Sequence, residues 1–178
     1  YFLQYYHAYP PIYIKSRMFA GLAFRMGFNR KALKHYTVLH RKHPEKILYI
    51  KRLAVIYFRL SNFEYADNYL QILLNHPDEL DPEILSIQVK VSHELFKYEN
   101  VLKGIKLYLK INDTSIKRRM EILETGAQVA EDIEQIDDLI EILEKLSEIS
   151  DNPFPILEKV VKYSLFIKNP IKAIENLY

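Results

Sequence analysis

Three histidines, His35, His40 and His43, stand close together in the stretch KHYTVLHRKH. His40 and His43 are three residues apart, so on a helix they share a face, the spacing two imidazoles need to reach one metal ion. The same residues also read as the end of a helix, where cations meet the negative pole of the helix dipole. That second reading is adopted, and no metal or cofactor is assigned. His93-Glu94 lacks the second histidine that a zinc-protease helix requires. Glu134, Asp137, Asp138 and Glu141 gather carboxylates on a generally acidic helix, which reads as solvated charge and not as a tuned acid and base. There is no cysteine and hence no thiolate, and neither a glycine-rich phosphate loop nor a nucleophile elbow occurs. The expectation is a chain without catalytic residues.

Its charges are sorted along the sequence. Residues 1–60 hold twelve lysines and arginines against one acid, Glu45, while residues 121–151 hold eleven acids against one base, Lys145. The formal net charge of +2 conceals this separation. Such asymmetry points to partners of complementary charge.

The elements that must position these charges are helices. Of the 178 residues 49% are apolar and 27% charged, enough for a packed core, and only four are glycine. No apolar run approaches the roughly 18 residues needed to span a bilayer. In the stretch AGLAFRMGFNRKALKHYTVLHRKHP, residues 20–44, a helix, a tight turn and a second helix follow one another. The small residue Ala32 recurs as Ala66, Val101, Leu139 and Ala173, at spacings of 34, 35, 38 and 34. A period near 34 with two helices per unit is the signature of a helical repeat array.

The units are expected near 12–44, 45–80, 81–113, 114–152 and 153–178, with 1–10 as the end of a preceding repeat. The whole of 1–178 then forms one array, an excerpt of a longer chain. Helices are expected near 12–26, 30–42, 45–60, 63–75, 82–97, 99–111, 115–131, 136–149 and 154–167. Asn29 is the expected N-cap of the second and Asn62 or Ser61 of the fourth. Asp81-Pro82 and Asn169-Pro170 are start signals. The longer spacing of the fourth unit implies extra residues in the connections. Gly104 lies inside a helix, where it lets another helix approach closely.

This layout resembles the tetratricopeptide repeat. The first small position of that pattern is taken by Ala20, Ala54, Val89, Ala127 and Val161, and the second by Ala23, Tyr57, Ser92, Ala130 and Ser164. The alanine position is Ala32, Ala66, Val101, Leu139 and Ala173, followed by Tyr36, Leu70, Ile105, Leu143 and Leu177. The closing proline is Pro44, and Asp113 and Asp151 replace it later. The resemblance implies an all-α, right-handed α-solenoid of about five repeats, with partial repeats at both ends, acting as a protein–protein interaction scaffold. It also implies that the first helix of each unit lines a concave face. That projection presents Arg17, Phe24, Arg25, Lys51, Arg52, Phe58, Arg59, Lys90, Glu121, Glu124, Gln128 and Glu131 to a partner peptide or helix. Phe24 and Phe58 would be apolar anchors and the arginines bidentate donors to carboxylates. Some members clamp a peptide's terminal carboxylate with asparagines; Gly21 and Val55 stand at the corresponding positions here, so that clamp is not implied. Complex assembly, as in a motility, secretion or envelope machine, is the process such a scaffold would serve. The alternative partner is nucleic acid, from tyrosines interleaved with bases in HAYPPIYIKSR and ILYIKRLAVIYFR. Self-association, basic end to acidic region, is a third. Cytoplasm and periplasm both suit a cysteine-free chain.

Overall fold

The computed structural model of the chain describes residues 11–166. Among the described residues there are nine α-helices and no strand: α1 Pro11–Arg25, α2 Asn29–Lys42, α3 Ile47–Arg59, α4 Phe63–Leu74, α5 Pro82–Glu94, α6 Tyr98–Tyr108, α7 Ile116–Asp132, α8 Ile136–Ser147 and α9 Phe154–Phe166. A 3-10 turn, Pro77–Glu79, precedes α5. Helices α1 to α8 form four helix–turn–helix units, and α9 begins a fifth. The tail of a preceding repeat expected in residues 1–10 and the closing helix expected with Ala173 and Leu177 lie outside the described residues. None of the described helices is long and apolar enough to cross a membrane. The chain divides into two compact units, Tyr1–Ile87 and Gln88–Tyr178, with the boundary inside α5.

Helix pairs pack closely only where facing side chains are small, and bulkier neighbours then fill the adjoining grooves. Ala32, Ala66, Val101 and Leu139 are all but inaccessible, and Tyr36, Leu70, Ile105 and Leu143 are buried beside them. Ala20, Ala54, Val89 and Ala127 are buried too. In α9 the buried residue is Val160 and the expected Val161 is half-buried, although Ser164 is enclosed as its position implies. Tyr57 stands where the other repeats have Ala23, Ser92 and Ala130. Its ring stacks on Tyr65 and Tyr69 of α4, with centroids 5.2 and 5.7 Å away. An aromatic residue thus fills a slot that smaller residues leave tight.

Glycines mark two close approaches. A Cβ on Gly104 would overlap Gln88 Oε1 and lie 2.9 Å from Val89 Cγ2, so α6 meets α5 at this point, as expected from sequence. A Cβ on Gly126 of α7 would meet Ile105 Cδ1 of α6 and lie 3.3 Å from Ile142 Cδ1 of α8.

Each unit turns between its helices in the same way. Gly27, Ser61, Phe96 and Glu134 have φ of 74°, 57°, 56° and 57°. Each stands five residues before the packing residue Ala32, Ala66, Val101 or Leu139. The next amide, of Phe28, Asn62, Lys97 or Gln135, donates to the carbonyl of Ala23, Tyr57, Ser92 or Ala130 at 2.8–2.9 Å. The amide of the left-handed residue itself bonds three residues back. This double closure satisfies carbonyls that a helix end leaves open, and it favours glycine at the left-handed position. Only Gly27 meets that preference. Ser61→Gly, Phe96→Gly and Glu134→Gly are each expected to stabilise the chain, by about 1 kcal/mol, read as a higher urea midpoint.

The same turn corrects the expected caps. The N-cap of α2 is Phe28, not Asn29, which is already helical and whose buried Oδ1 has no partner among the described residues. Asn62 does occupy the N-cap of α4, but its side chain makes no capping bond. Asp81 caps α5 as expected, accepting from the Ile84 amide at 2.9 Å. Ser115 caps α7, accepting from Arg118 N at 3.4 Å. The extra residues of the fourth unit are not in the connections. Helix α7 has 17 residues against 13 in α5, so the added turn lengthens the helix itself.

Asp113, in place of a closing proline, ties α6 to α7. Its buried carboxylate accepts from the Tyr108 hydroxyl, from Ser115 N at 2.9 Å and from Arg118 Nη1 at 3.0 Å.

Candidate protein-binding surface

Helices α1 and α3 bring four of the projected residues together in the first unit. Phe24 lies on the core side of α1, in edge contact with Tyr36 of α2 at 6.2 Å between ring centres. Two turns of α3 run alongside, so Arg52 and Arg59, seven residues apart, reach the same ring. Their guanidinium carbons stand 4.3 and 4.6 Å from its centre. Arg25 is exposed on α1, its Nε donating to the Gly21 carbonyl at 3.4 Å. Burial raises the pKa of the Tyr36 hydroxyl, while the charges of Arg52 and Arg25 act in the opposite sense. None of these three arginines meets a carboxylate among the described residues. A guanidinium resting on an aromatic face is held in place yet keeps its edge N–H donors for an incoming anion.

Phe24 therefore differs from its expected role. It is only 7% exposed, so it is a support for guanidinium groups and not an anchor offered to a partner. Phe58 is half-buried with its ring 6.3 Å from Phe63. Arg17 is exposed on α1. Val55 of α3 and Ser86 of α5, on the same first helices, are buried.

Other projected residues are engaged within the chain. Lys51 is 3.3 Å from both Glu79 and Asp81. In the second unit Lys90 of α5 pairs with Glu121 of α7 at 2.8 Å, and this bond and charge hold the Glu121 carboxyl below its ordinary pKa. Gln128 donates to Asp132 at 3.3 Å. Glu131 accepts from the Tyr163 hydroxyl of α9 and lies 3.9 Å from Lys159. Glu124 is exposed. Sequence reasoning placed these side chains on first helices correctly, but several tie one first helix to the next.

The histidines disperse. His35 Nδ1 faces Ser16 Oγ at 3.4 Å, with its ring stacked on Phe19. His40 packs edge-on against Tyr69, and burial lowers its pKa. His43 lies 3.7 Å from Glu45. Among the described residues no group of three His, Asp or Glu is placed to hold a metal ion. An open cleft of about 790 Å³ lies in the second unit, between Phe96, Tyr98, Leu102, Lys103 and Ile133. Its rim is of mixed charge, with Lys106 paired to Asp138 at 2.7 Å.

Repeated helix pairs, small packing residues and a shared turn define an all-α helical-repeat fold of the tetratricopeptide, α-solenoid class. A tetratricopeptide repeat protein from Parabacteroides merdae matches with a TM-score of 0.59 at 20% identity, over 94% of this chain and 64% of that one. MamA from Desulfovibrio magneticus RS-1 matches with a TM-score of 0.63 at 11% identity, over 94% and 92%. A Podospora anserina protein of kinesin light chain type, with nearly identical TPR-like repeats, matches with a TM-score of 0.54 at 13% identity, over 92% and 90%. This chain thus spans just under two thirds of the Parabacteroides protein. No protein-family model matches the sequence, and no curated protein matches it.

Proposed function

We propose that the chain is a protein–protein interaction scaffold that takes an acidic segment of a partner on the arginine surface of α1 and α3. One observation carries this reading: Arg52 and Arg59 are held at 4.3 and 4.6 Å from the Phe24 ring centre without a carboxylate partner among the described residues. Charge that is fixed in place but unneutralised is suited to bidentate recognition of Asp, Glu or a terminal carboxylate. Lys51 does not belong to this surface, because Glu79 and Asp81 already occupy it.

The test is affinity capture from native extract by the unaltered chain and by Arg25→Glu/Arg59→Glu, each with and without nuclease. A discrete protein that survives nuclease and is lost on reversal is the expected result. Capture unchanged by the reversal removes the arginine surface from consideration. Recovery that disappears with nuclease would favour nucleic acid as the ligand instead.

A further inference from the structure

The outward faces of α2 and α8 carry opposite charges at the same repeat positions. Counted from the packing residues Ala32 and Leu139, Arg30 corresponds to Asp137, Lys31 to Asp138, Lys34 to Glu141 and Arg41 to Glu148. Burial of Ala32, Tyr36 and Leu39 fixes the rotation of α2, and burial of Leu139, Leu143 and Leu146 fixes that of α8. The four positions then fall within an arc of about 100° on each helix, on the side away from the core. Arg30, Lys31, Lys34 and Arg41 are exposed, as are Asp137, Glu141 and Glu148, with Asp138 half-buried. The two second helices between them are mixed at these positions, with Glu64, Tyr65, Asn68 and Asn75 on and after α4 and Glu99, Asn100, Lys103 and Lys110 on and after α6.

The basic arc is unfavourable where it stands. Helix α2 contains no acid at all. Arg30 and Lys31 occupy its first turn, where the dipole disfavours cations, and Arg30 and Lys34 are like charges four residues apart. Asp137 and Asp138 sit in the first turn of α8, where the dipole favours them. Lys106 of α6 already reaches Asp138 at 2.7 Å, so this acidic arc accepts a lysine from the second helix of another repeat. Lys145 pairs with Glu148 at 2.6 Å within its own turn, and Lys31 lies over the Phe28 ring at 5.3 Å. Both contacts are local and solvent-exposed.

We infer that α2 of one copy of this chain docks on α8 of a second copy. The sequence offsets are identical, so parallel, in-register alignment brings each cation opposite its acid. Antiparallel alignment does not. The contact is heterologous: each copy keeps one free α2 and one free α8, and association continues beyond a dimer unless it closes into a ring. It is built from exposed ion pairs, so it weakens steeply with salt.

Sedimentation velocity at about 50 mM and about 500 mM salt tests it. The expected result is a sedimentation coefficient that rises with concentration at low salt only. Arg30→Glu/Lys34→Glu weakens association about tenfold or more, and so does Asp137→Lys/Glu141→Lys. Mixing the two variants restores association, since each supplies the surface the other lacks, and all four substitutions in one chain restore self-association. Monomer at both salts overturns the pairing, as does association indifferent to the reversals or a mixture that stays monomeric. Nuclease-digestible material carried by a monomeric chain and lost with Arg30→Glu/Lys34→Glu also overturns it, assigning the basic arc to a polyanion. Circular dichroism confirms that each variant is folded.

Discussion

Asp113→Ala is expected to destabilise the second unit by about 3 kcal/mol. The substitution strands a buried tyrosine hydroxyl and a guanidinium that share one carboxylate. It also removes the acceptor that fixes the Ser115 amide just before α7. Tyr108→Phe deletes a single donor and is expected to cost about 1 kcal/mol. The effect of Asp113 has a pH signature. Burial alone would raise its carboxyl pKa, but the Tyr108 hydroxyl, the Ser115 amide and Arg118 outweigh it and hold the value below the ordinary one. A carboxyl depressed in the folded state contributes fully above its unfolded pKa of about 3.9 and loses that contribution as pH falls through the folded value. Urea denaturation should therefore show a constant gap between the unaltered chain and Asp113→Ala near neutral pH. The gap should shrink below about pH 4. A gap independent of pH would remove the ionised carboxylate from the account.

The second large effect falls on Gly104. Gly104→Ala should destabilise by about 2 kcal/mol, although alanine in a helix is intrinsically better than glycine by about 1 kcal/mol. The added methyl group would displace Gln88, which is buried and whose Nε2 donates to Ser92 Oγ and to the Asn100 carbonyl, both at 3.0 Å. Overpacking and the loss of those bonds exceed the propensity gain. A double-mutant cycle makes the claim specific, because Gln88→Ala removes the tightest of the contacts the new methyl would make and leaves Val89 Cγ2 at 2.9 Å. In that background Gly104→Ala should cost clearly less, about 1 kcal/mol or below. Equal destabilisation in both backgrounds would show that the cost does not come from the approach of α5 to α6.

The repeat was legible because its cause is local. Small residues at Ala20, Ala32, Ala54 and Ala66 recur at a fixed spacing, and close packing of two helices favours small side chains there. Asp81-Pro82 announced its helix for the same reason: cap and proline act within one turn. The turns were read less well. Asn29 looks like a cap by residue type, yet the chain closes through main-chain bonds around Gly27 and needs no side chain from it. The recurrence of that turn at Ser61, Phe96 and Glu134 could have been found by counting five residues back from each packing residue.

The candidate surface was legible only as a list of charges. Composition located Arg25, Arg52 and Arg59 in a basic region, and the period placed them on first helices. Which bases would be neutralised depends on contacts about 30 residues away, such as Lys51 with Asp81 or Lys90 with Glu121. Those pairs are set by the distance between successive first helices, which no single repeat encodes. The same holds for Phe24, whose burial beneath two arginines comes from the next unit.

The main-chain closure of the four turns bears on how such a chain diverges. Serine, phenylalanine and glutamate all occupy the left-handed position at a tolerable energy, because the two bonds that shape the bend use only peptide atoms. Substitution there is filtered weakly, and the residues that specify the repeat shrink to a few small ones per 34. A lineage can then lose its written signature while retaining its architecture. This chain aligns in space with proteins sharing 11–20% of its residues.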